Sequence, residues 1–328
     1  MSKPNLFRIA TKELSQDGFL TWLLLWADNS NAAIHRELNE AGKDFVRLLL
    51  GKDSSFDVDS VSVERQWRSI DIWADVNGTE AIIIEDKTDT SEHDNQLERY
   101  KEIAEEECRK NGQTLHCVYL KTGNESLSVE KDIEKRGYAI IHRSDVLNTL
   151  IRHSVDSDIY NDFIDSLTQI EQETNAYQTV DNIYNSWKTC EGFYIRLQNE
   201  LDEWSDWRYV PNASGGFMGF WYHWNESTLF PEVYIQIENG EPEIRLVIKV
   251  AGKGITTETL YSALDVVREI GREEGITIDK PNRYRAGSTS TLAVVSGAFN
   301  KDIPFSLESF VNTLHALERV IDRYCENN

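Results

Sequence analysis

Asp71, Glu85 and Lys87 are the residues whose types and spacing best suit chemistry in this chain. Asp71 opens the run Asp-Ile-Trp-Ala-Asp-Val. Glu85-Asp-Lys87 closes the following apolar run, Ala-Ile-Ile-Ile. Two carboxylates and an ammonium in this pattern fit the cleavage of a phosphodiester. Magnesium is a hard ion that takes oxygen ligands, commonly one or two carboxylates with water and substrate phosphate completing the shell. A bound divalent ion lowers the pKa of its water and stabilises charge developing at phosphorus. Lys87 would orient that water or offset the charge. The alternative is an ordinary exposed hairpin with a surface Glu and Lys, because acid-x-Lys is common at strand ends.

The elements that must position these groups are two strands around Asn77-Gly78. Ile70, Ile72, Ala74 and Val76 alternate with Asp71, Trp73 and Asp75, which is the period of a strand. Glu85 and Lys87 lie two apart and so share a face. Asn-Gly favours a two-residue turn, which would set Asp71 opposite Ile84 and send Asp71 and Glu85 to opposite faces. A three-residue loop, residues 77–79, pairs Asp71 with Glu85 and gathers Ile72, Ala74, Ile82 and Ile84 on the core face. A slip of one residue flips every side chain, so the proposed chemistry predicts the longer loop or a bulge.

Downstream of a polar loop, Gln96-Leu-Glu-Arg-Tyr100 opens an amphipathic stretch with Leu97, Tyr100, Ile103 and Ala104 at helical spacing. Gln96 and Tyr100, four apart, project from one helix face. With these residues the chain resembles the PD-(D/E)XK nuclease superfamily, in its branch with a RecB-type Gln-x-x-x-Tyr helix. The resemblance implies a metal role for Asp71 and Glu85, a catalytic role for Lys87, and positioning of substrate or metal by Gln96 and Tyr100. The cofactor it implies is Mg2+ or Mn2+. Ile70 stands where the superfamily's motif has proline, a loose position. Residues 12–27, with Glu13 ahead of a Phe-Leu-x-Trp-Leu-Leu run, are similar to the opening of one family of that superfamily. That similarity implies that Glu13 is a further metal-site carboxylate. Otherwise Glu13 complements the positive end of a helix dipole. Glu64, on the preceding strand-like run, is a weaker candidate for the carboxylate cluster or a solvated strand residue. Arg68 and His93 are near the motif and could contact phosphate; the alternative for His93, in a polar loop at 91–94, is a plainly exposed histidine.

Length and composition bound the rest. The chain has 328 residues, 40% of them hydrophobic and 10% aromatic, which indicates a globular protein and suits two domains. The apolar run 19–27 falls well short of the ~20 residues that span a bilayer. Nothing at the N-terminus resembles a signal peptide. Cys108, Cys117, Cys190 and Cys325 show no zinc or redox spacing. Free thiols in a reducing cytoplasm follow as the expectation. The net charge of −22 opposes nucleic-acid binding, which is driven by Lys and Arg contacts to phosphate. It implies a small, local basic surface or a partner that delivers the substrate. Arg283 and Arg285, in an acid-free stretch from Lys280 to Lys301, are candidate substrate-binding residues; a plain polar turn into a strand is the alternative.

The expected organisation is helices at 15–27 and 33–50, strands at 58–67, 69–76 and 81–87, a helix at 95–110, strands at 114–121 and 138–141, and helix starts near 144 and 157. This order matches an α/β, restriction-endonuclease-like core, a mixed central sheet flanked by helices, within residues 1–175. Residues 176–328 read as an α+β domain for substrate recognition, partner binding or dimerisation. Its expected elements are a long helix at 177–204, a loop at 211–219, strands at 217–224, 232–238 and 243–250, a helix at 257–274, two short strands and a helix at 307–324. Phe217, Phe220, Trp221, Tyr222 and Trp224 form either the core of its sheet or a base-stacking or partner surface. The function expected is metal-dependent hydrolysis of nucleic acid, DNA ahead of RNA, in restriction, phage defence or repair. A protein partner or a second copy of the chain is expected, and no membrane. The alternative is a non-catalytic binding or regulatory module on the same fold.

Overall fold

The computed structural model describes residues 3–90, 95–201, 204–212 and 215–327. The chain forms two compact units, residues 1–125 with 129–172, and residues 126–128 with 173–328.

The first unit contains helices α1 (Leu6–Ile9), α2 (Glu13–Trp26) and α3 (Arg36–Leu50), then strands β1 (Val61–Trp67), β2 (Ile70–Val76) and β3 (Glu80–Lys87). Next come α4 (Gln96–Asn111), β4 (Thr114–Lys121), α5 (Leu127–Lys135), β5 (Ala139–His142), α6 (Arg143–Leu150) and α7 (Asp158–Thr174). The strands form one sheet in the order β1-β2-β3-β4-β5. The first two pairings are antiparallel and the last two parallel. This is the mixed, helix-flanked sheet expected from the sequence. Both faces are dry. Ile72, Ala74, Val76, Ile82, Ile84, Val118 and Leu120 pack with residues of α2, α3, α6 and α7. Trp73, Ala81, Ile83, Cys117 and Tyr119 pack with Leu97, Tyr100, Ala104 and Cys108 of α4. A strand covered on both sides reads as a continuous apolar run, which is why Ala-Ile-Ile-Ile in β3 does not alternate.

The β2–β3 turn settles the register. Asn77 and Gly78 have φ of 57° and 69°, and the Thr79 N–H donates to the Val76 carbonyl at 3.2 Å. This is the tight turn that Asn-Gly favours. The ladder nevertheless pairs Val76 with Glu80, Ala74 with Ile82 and Ile72 with Ile84. Thr79 is the extra residue, and the register of the three-residue loop results. Extended by one position, it sets Asp71 across from Glu85. The Asn77 side chain secures the turn, accepting from the Asp59 and Ser60 N–H groups and donating to the Asp57 carbonyl.

The second unit contains α8 (Val180–Asn185), α9 (Trp187–Glu200), β6 (Ser205–Val210), β7 (Phe217–Asn225), β8 (Glu232–Gly240) and β9 (Glu243–Ala251). These are followed by α10 (Thr257–Glu273), β10 (Ile278–Asp279), β11 (Thr289–Val295) and α11 (Leu307–Glu326). Its sheet is antiparallel throughout, in the order β10-β11-β9-β8-β7-β6. The sequence expectation of one helix at 177–204 is corrected. Ser186 is extended and its Oγ accepts from the Thr189 N–H at 3.2 Å, capping α9 and ending α8. Strand β6 and helix α5 are additions that the sequence pattern does not predict.

All four cysteines are free. Among the described residues, no helix is long and apolar enough to cross a membrane.

Candidate active site

The end of β3 carries three charged side chains that are buried: Glu85, Asp86 and Lys87. Strand alternation divides them. Glu85 and Lys87 face α4, while Asp86 faces α2. Lys87 Nζ donates to Glu85 Oε1 at 2.5 Å. Gln96, the first residue of α4, donates from Nε2 to the same Glu85 oxygen at 2.9 Å and to the Tyr100 hydroxyl at 3.0 Å. The four-residue helical spacing is what places Gln96 and Tyr100 on one side of that row. Asp71 enters from β2, its Oδ2 accepting from the Asp86 backbone N–H at 3.1 Å and its Oδ1 from Gln66 Nε2 at 3.3 Å.

Glu13, at the start of α2, reaches across the loop that follows β3. Its Oε1 accepts from the Thr88 N–H at 3.2 Å and from the Thr90 hydroxyl at 2.5 Å. Lys121, at the parallel end of β4, is only 2% exposed and donates to the Thr90 carbonyl at 2.6 Å. Gly123 is required beside this loop, since a Cβ there would stand 2.1 Å from the Thr88 carbonyl oxygen.

On the opposite face a second polar group supports β3. Gln16 donates from Nε2 to Asp86 Oδ1 at 2.5 Å and accepts from the Thr122 hydroxyl at 2.9 Å. Asp17, one position on, is buried beside Asp86. Sequence reasoning alone misses Gln16, Asp17 and Asp86. The available signal is their spacing: Gln16 and Asp17 follow Glu13 by one helical turn, and Asp86 has the opposite strand parity to Glu85.

These contacts set the protonation states. Burial, and then the Asp71 charge, push the Glu85 carboxyl up to about 7 despite the pull of Lys87. Burial pulls the Lys87 ammonium down, but Glu85, Asp71 and Glu13 outweigh it and the net shift is upward. Burial holds Asp86 well above the ordinary carboxylate range. Burial and the Asp71 charge raise Asp17 to about 6.

Among the described residues, no group of three or more His, Cys, Asp or Glu side chains converges as a ready metal cage. Two carboxylates nonetheless fit a hard divalent cation that keeps much of its water. Glu85 Oε2 is buried without a hydrogen-bond partner, and Asp71 opposes the charge on Glu85. A cation would relieve both.

The remaining sequence candidates lie apart from this row. Glu64 is exposed on the edge strand β1, across from Trp73. Arg68 is held by Glu107 at 3.1 Å and lies over the Trp67 ring at 4.6 Å. His93 lies outside the described residues. Arg283 and Arg285 belong to the second unit, exposed in the loop before β11. Tyr284 between them packs against Tyr261 and gives its hydroxyl to the Leu292 carbonyl.

A family model described as the PD-(D/E)XK nuclease superfamily matches residues 4–184, more than half of the 328-residue chain. No curated protein and no solved structure matches.

Proposed function

The chain belongs to the PD-(D/E)XK nuclease superfamily, and from that premise we propose that it hydrolyses phosphodiester bonds in nucleic acid, DNA ahead of RNA, with Mg2+ or Mn2+. The observation that carries the reading is the buried row Lys87–Glu85–Gln96–Tyr100 beside Asp71. Asp71 and Glu85 would hold the cation, with Glu13 as a further carboxylate. When bound, the cation supplies an activated water and offsets charge on the phosphate.

The protein's own groups do the rest. Gln96 holds Glu85 in one rotamer, and Tyr100 holds Gln96, as in the RecB-type arrangement. Lys87 is kept as an ammonium by the surrounding carboxylates. It serves as a donor that orients the water or offsets the charge developing on the phosphate. The Asp86 backbone N–H orients Asp71. The pentavalent transition state gains negative charge on its oxygens, and preorganised donors lower that barrier without reorganising.

The test is cleavage of linear, circular and single-stranded DNA and of RNA with Mg2+ or Mn2+, wild type beside Lys87→Ala. Cleavage lost in the variant supports the site, and cleavage of circles identifies an endonuclease. If neither protein cuts any substrate and calorimetry detects no metal binding, the reading fails and a non-catalytic module on this fold remains. The net charge of −22 is what favours that second reading.

A further inference from the structure

One face of the second unit's sheet packs against its helices; on the other, Asp206 of β6 accepts from the Ser128 hydroxyl of α5 at 2.7 Å. Helices α9, α10 and α11 share the hydrophobic core with the face formed by Trp207, Met218, Phe220, Tyr222, Ile235, Ile237, Leu246 and Ile248. On the other face is an open concavity of about 430 Å³ whose lining includes Arg208, Phe217, Trp221, Trp224, Tyr234 and Lys249.

A backbone device builds this face. Strict alternation along β7 would put Trp224 beside Tyr222, in the core. The ladder instead pairs Tyr222 with Ile235 and then Asn225 with Val233, a bulge with His223 at φ 57°. The extra residue turns His223 toward Asp322 of α11, at 2.9 Å, and returns Trp224 to the face of Trp221. Bulges commonly re-aim side chains at functional sites. Trp224 remains 38% exposed. It is stacked on Tyr234, with centroids 5.5 Å apart and planes at 18°, and Trp204 lies 5.0 Å away. Gly219 leaves a flat seat between Phe217 and Trp221, whose rings stand within 3.0 Å of where its Cβ would be.

Charge accompanies the rings. The Arg208 guanidinium lies 5.3 Å over the Trp221 ring. Lys249 Nζ reaches Glu238 at 3.2 Å and Thr291 at 3.1 Å, and Glu238 is also paired with Arg245 at 2.6 Å. Among the groups lining the concavity, Arg208 and Lys249 are cationic and Glu232 is anionic. Gln236, 6% exposed, supplies a buried amide to the same wall.

We propose that this concavity binds a single strand of nucleic acid, its unpaired bases stacking on Trp221 and Trp224 and its phosphates meeting Arg208 and Lys249. Aromatic faces accept any base, because every base has a π-face, and cations beside them track the backbone. A duplex keeps its base faces stacked inside and could not use these rings. The assignment rests on the nuclease reading for its substrate class and adds that the bound form has unpaired nucleotides.

The test uses the full chain carrying Lys87→Ala, in EDTA, so that no strand is cut. A fluorescent oligothymidylate and a duplex of equal length are titrated at low salt and followed by anisotropy. The single strand should bind more tightly than the duplex. Trp221→Ala and Trp224→Ala should each weaken single-strand binding about tenfold, and Trp224→Phe should retain most of it. Arg208→Ala should weaken it a few-fold and flatten its salt dependence. Unchanged melting temperatures would show that the variants are folded. Equal binding by all variants overturns the inference, as does a duplex bound equally well or no binding of either form at low salt. Cleavage by the wild type is scored separately. Cleavage without dependence of strand binding on the tryptophans fells this inference alone. Tryptophan-dependent binding with neither cleavage nor metal binding fells the nuclease reading alone.

Discussion

The two sheets of this protein place their polar side chains differently. In the first unit both faces are covered, and charge is gathered at the ends of adjacent strands: Glu85, Asp86 and Lys87 on β3, and Lys121 on the parallel neighbour β4. In the second unit one face is covered and the other carries the charges and rings across its width. A sheet buried on both sides can expose chemistry only where its strands stop, so each charge must be held by a specific partner. A sheet covered on one side exposes a surface, where recognition is spread over many partly solvated groups. Single substitutions should therefore act sharply in the first unit and by degrees in the second.

The largest effect tests that contrast directly. Lys87→Ala should lower cleavage by about 10²–10³-fold, as for removal of one preorganised donor, while Trp224→Ala should raise KM and leave kcat nearly unchanged. Steady-state kinetics on single-stranded substrate measure both. If Trp224→Ala lowers kcat as much as Lys87→Ala does, the division between strand ends and open face is wrong.

The next effect concerns the buried carboxyl. The Glu85 pKa, raised from 4.5 to about 7, means that the folded state holds the proton more tightly than the unfolded one. Its contribution to stability is present below pH 4.5 and is lost as pH rises through 7. Glu85→Gln removes this dependence. In chelator, the variant should be more stable than wild type at pH 8, by about 1–3 kcal/mol, with the difference shrinking toward pH 5. Urea unfolding at the two pH values measures it, and a difference that grows as pH falls would contradict the assigned shift. Added Mg2+ should reverse the order at pH 8 by stabilising the wild type.

A smaller loss is expected from Gln16→Ala, which leaves Asp86 Oδ1 and the Thr122 hydroxyl without their shared partner. The cost should be about 2 kcal/mol in urea unfolding. A neutral result would show that the polar group behind β3 is solvated rather than structural. Gly78→Ala should cost the least, about 1 kcal/mol. Its φ of 69° disfavours a side chain, yet nothing lies within 4 Å of the added Cβ. A much larger loss, accompanied by loss of cleavage, would indicate that the turn and not Thr79 alone maintains the register.

The pairing of Asp71 with Glu85 is legible in the sequence, because apolar parity and the needs of a carboxylate pair allow one register only. The sharing of a helix face by Gln96 and Tyr100 is legible from their spacing. The place of Trp224 in the aromatic cluster of β7 is not. Phe220 and Tyr222 are core, while Phe217, Trp221 and Trp224 line the open face. Alternation separates Phe217 and Trp221 from Phe220 and Tyr222, and a single bulged residue, invisible to a period-two pattern, brings Trp224 to the face of Trp221. The helix break at Ser186 is hidden for a similar reason, since one serine cap interrupts an otherwise continuous apolar periodicity.

Local pattern alone determined the strands and most helices of the first unit, the face on which each candidate residue lies and the family to which those residues point. Periodicity reports which side of an element is dry, and that information is local. Tertiary structure decided the partners: Gln16 under Asp86, Lys121 behind Thr90, Glu13 over the loop after β3, and the open face of the second sheet. Those contacts join residues far apart in the chain, and their cost or benefit depends on burial that no single segment carries by itself.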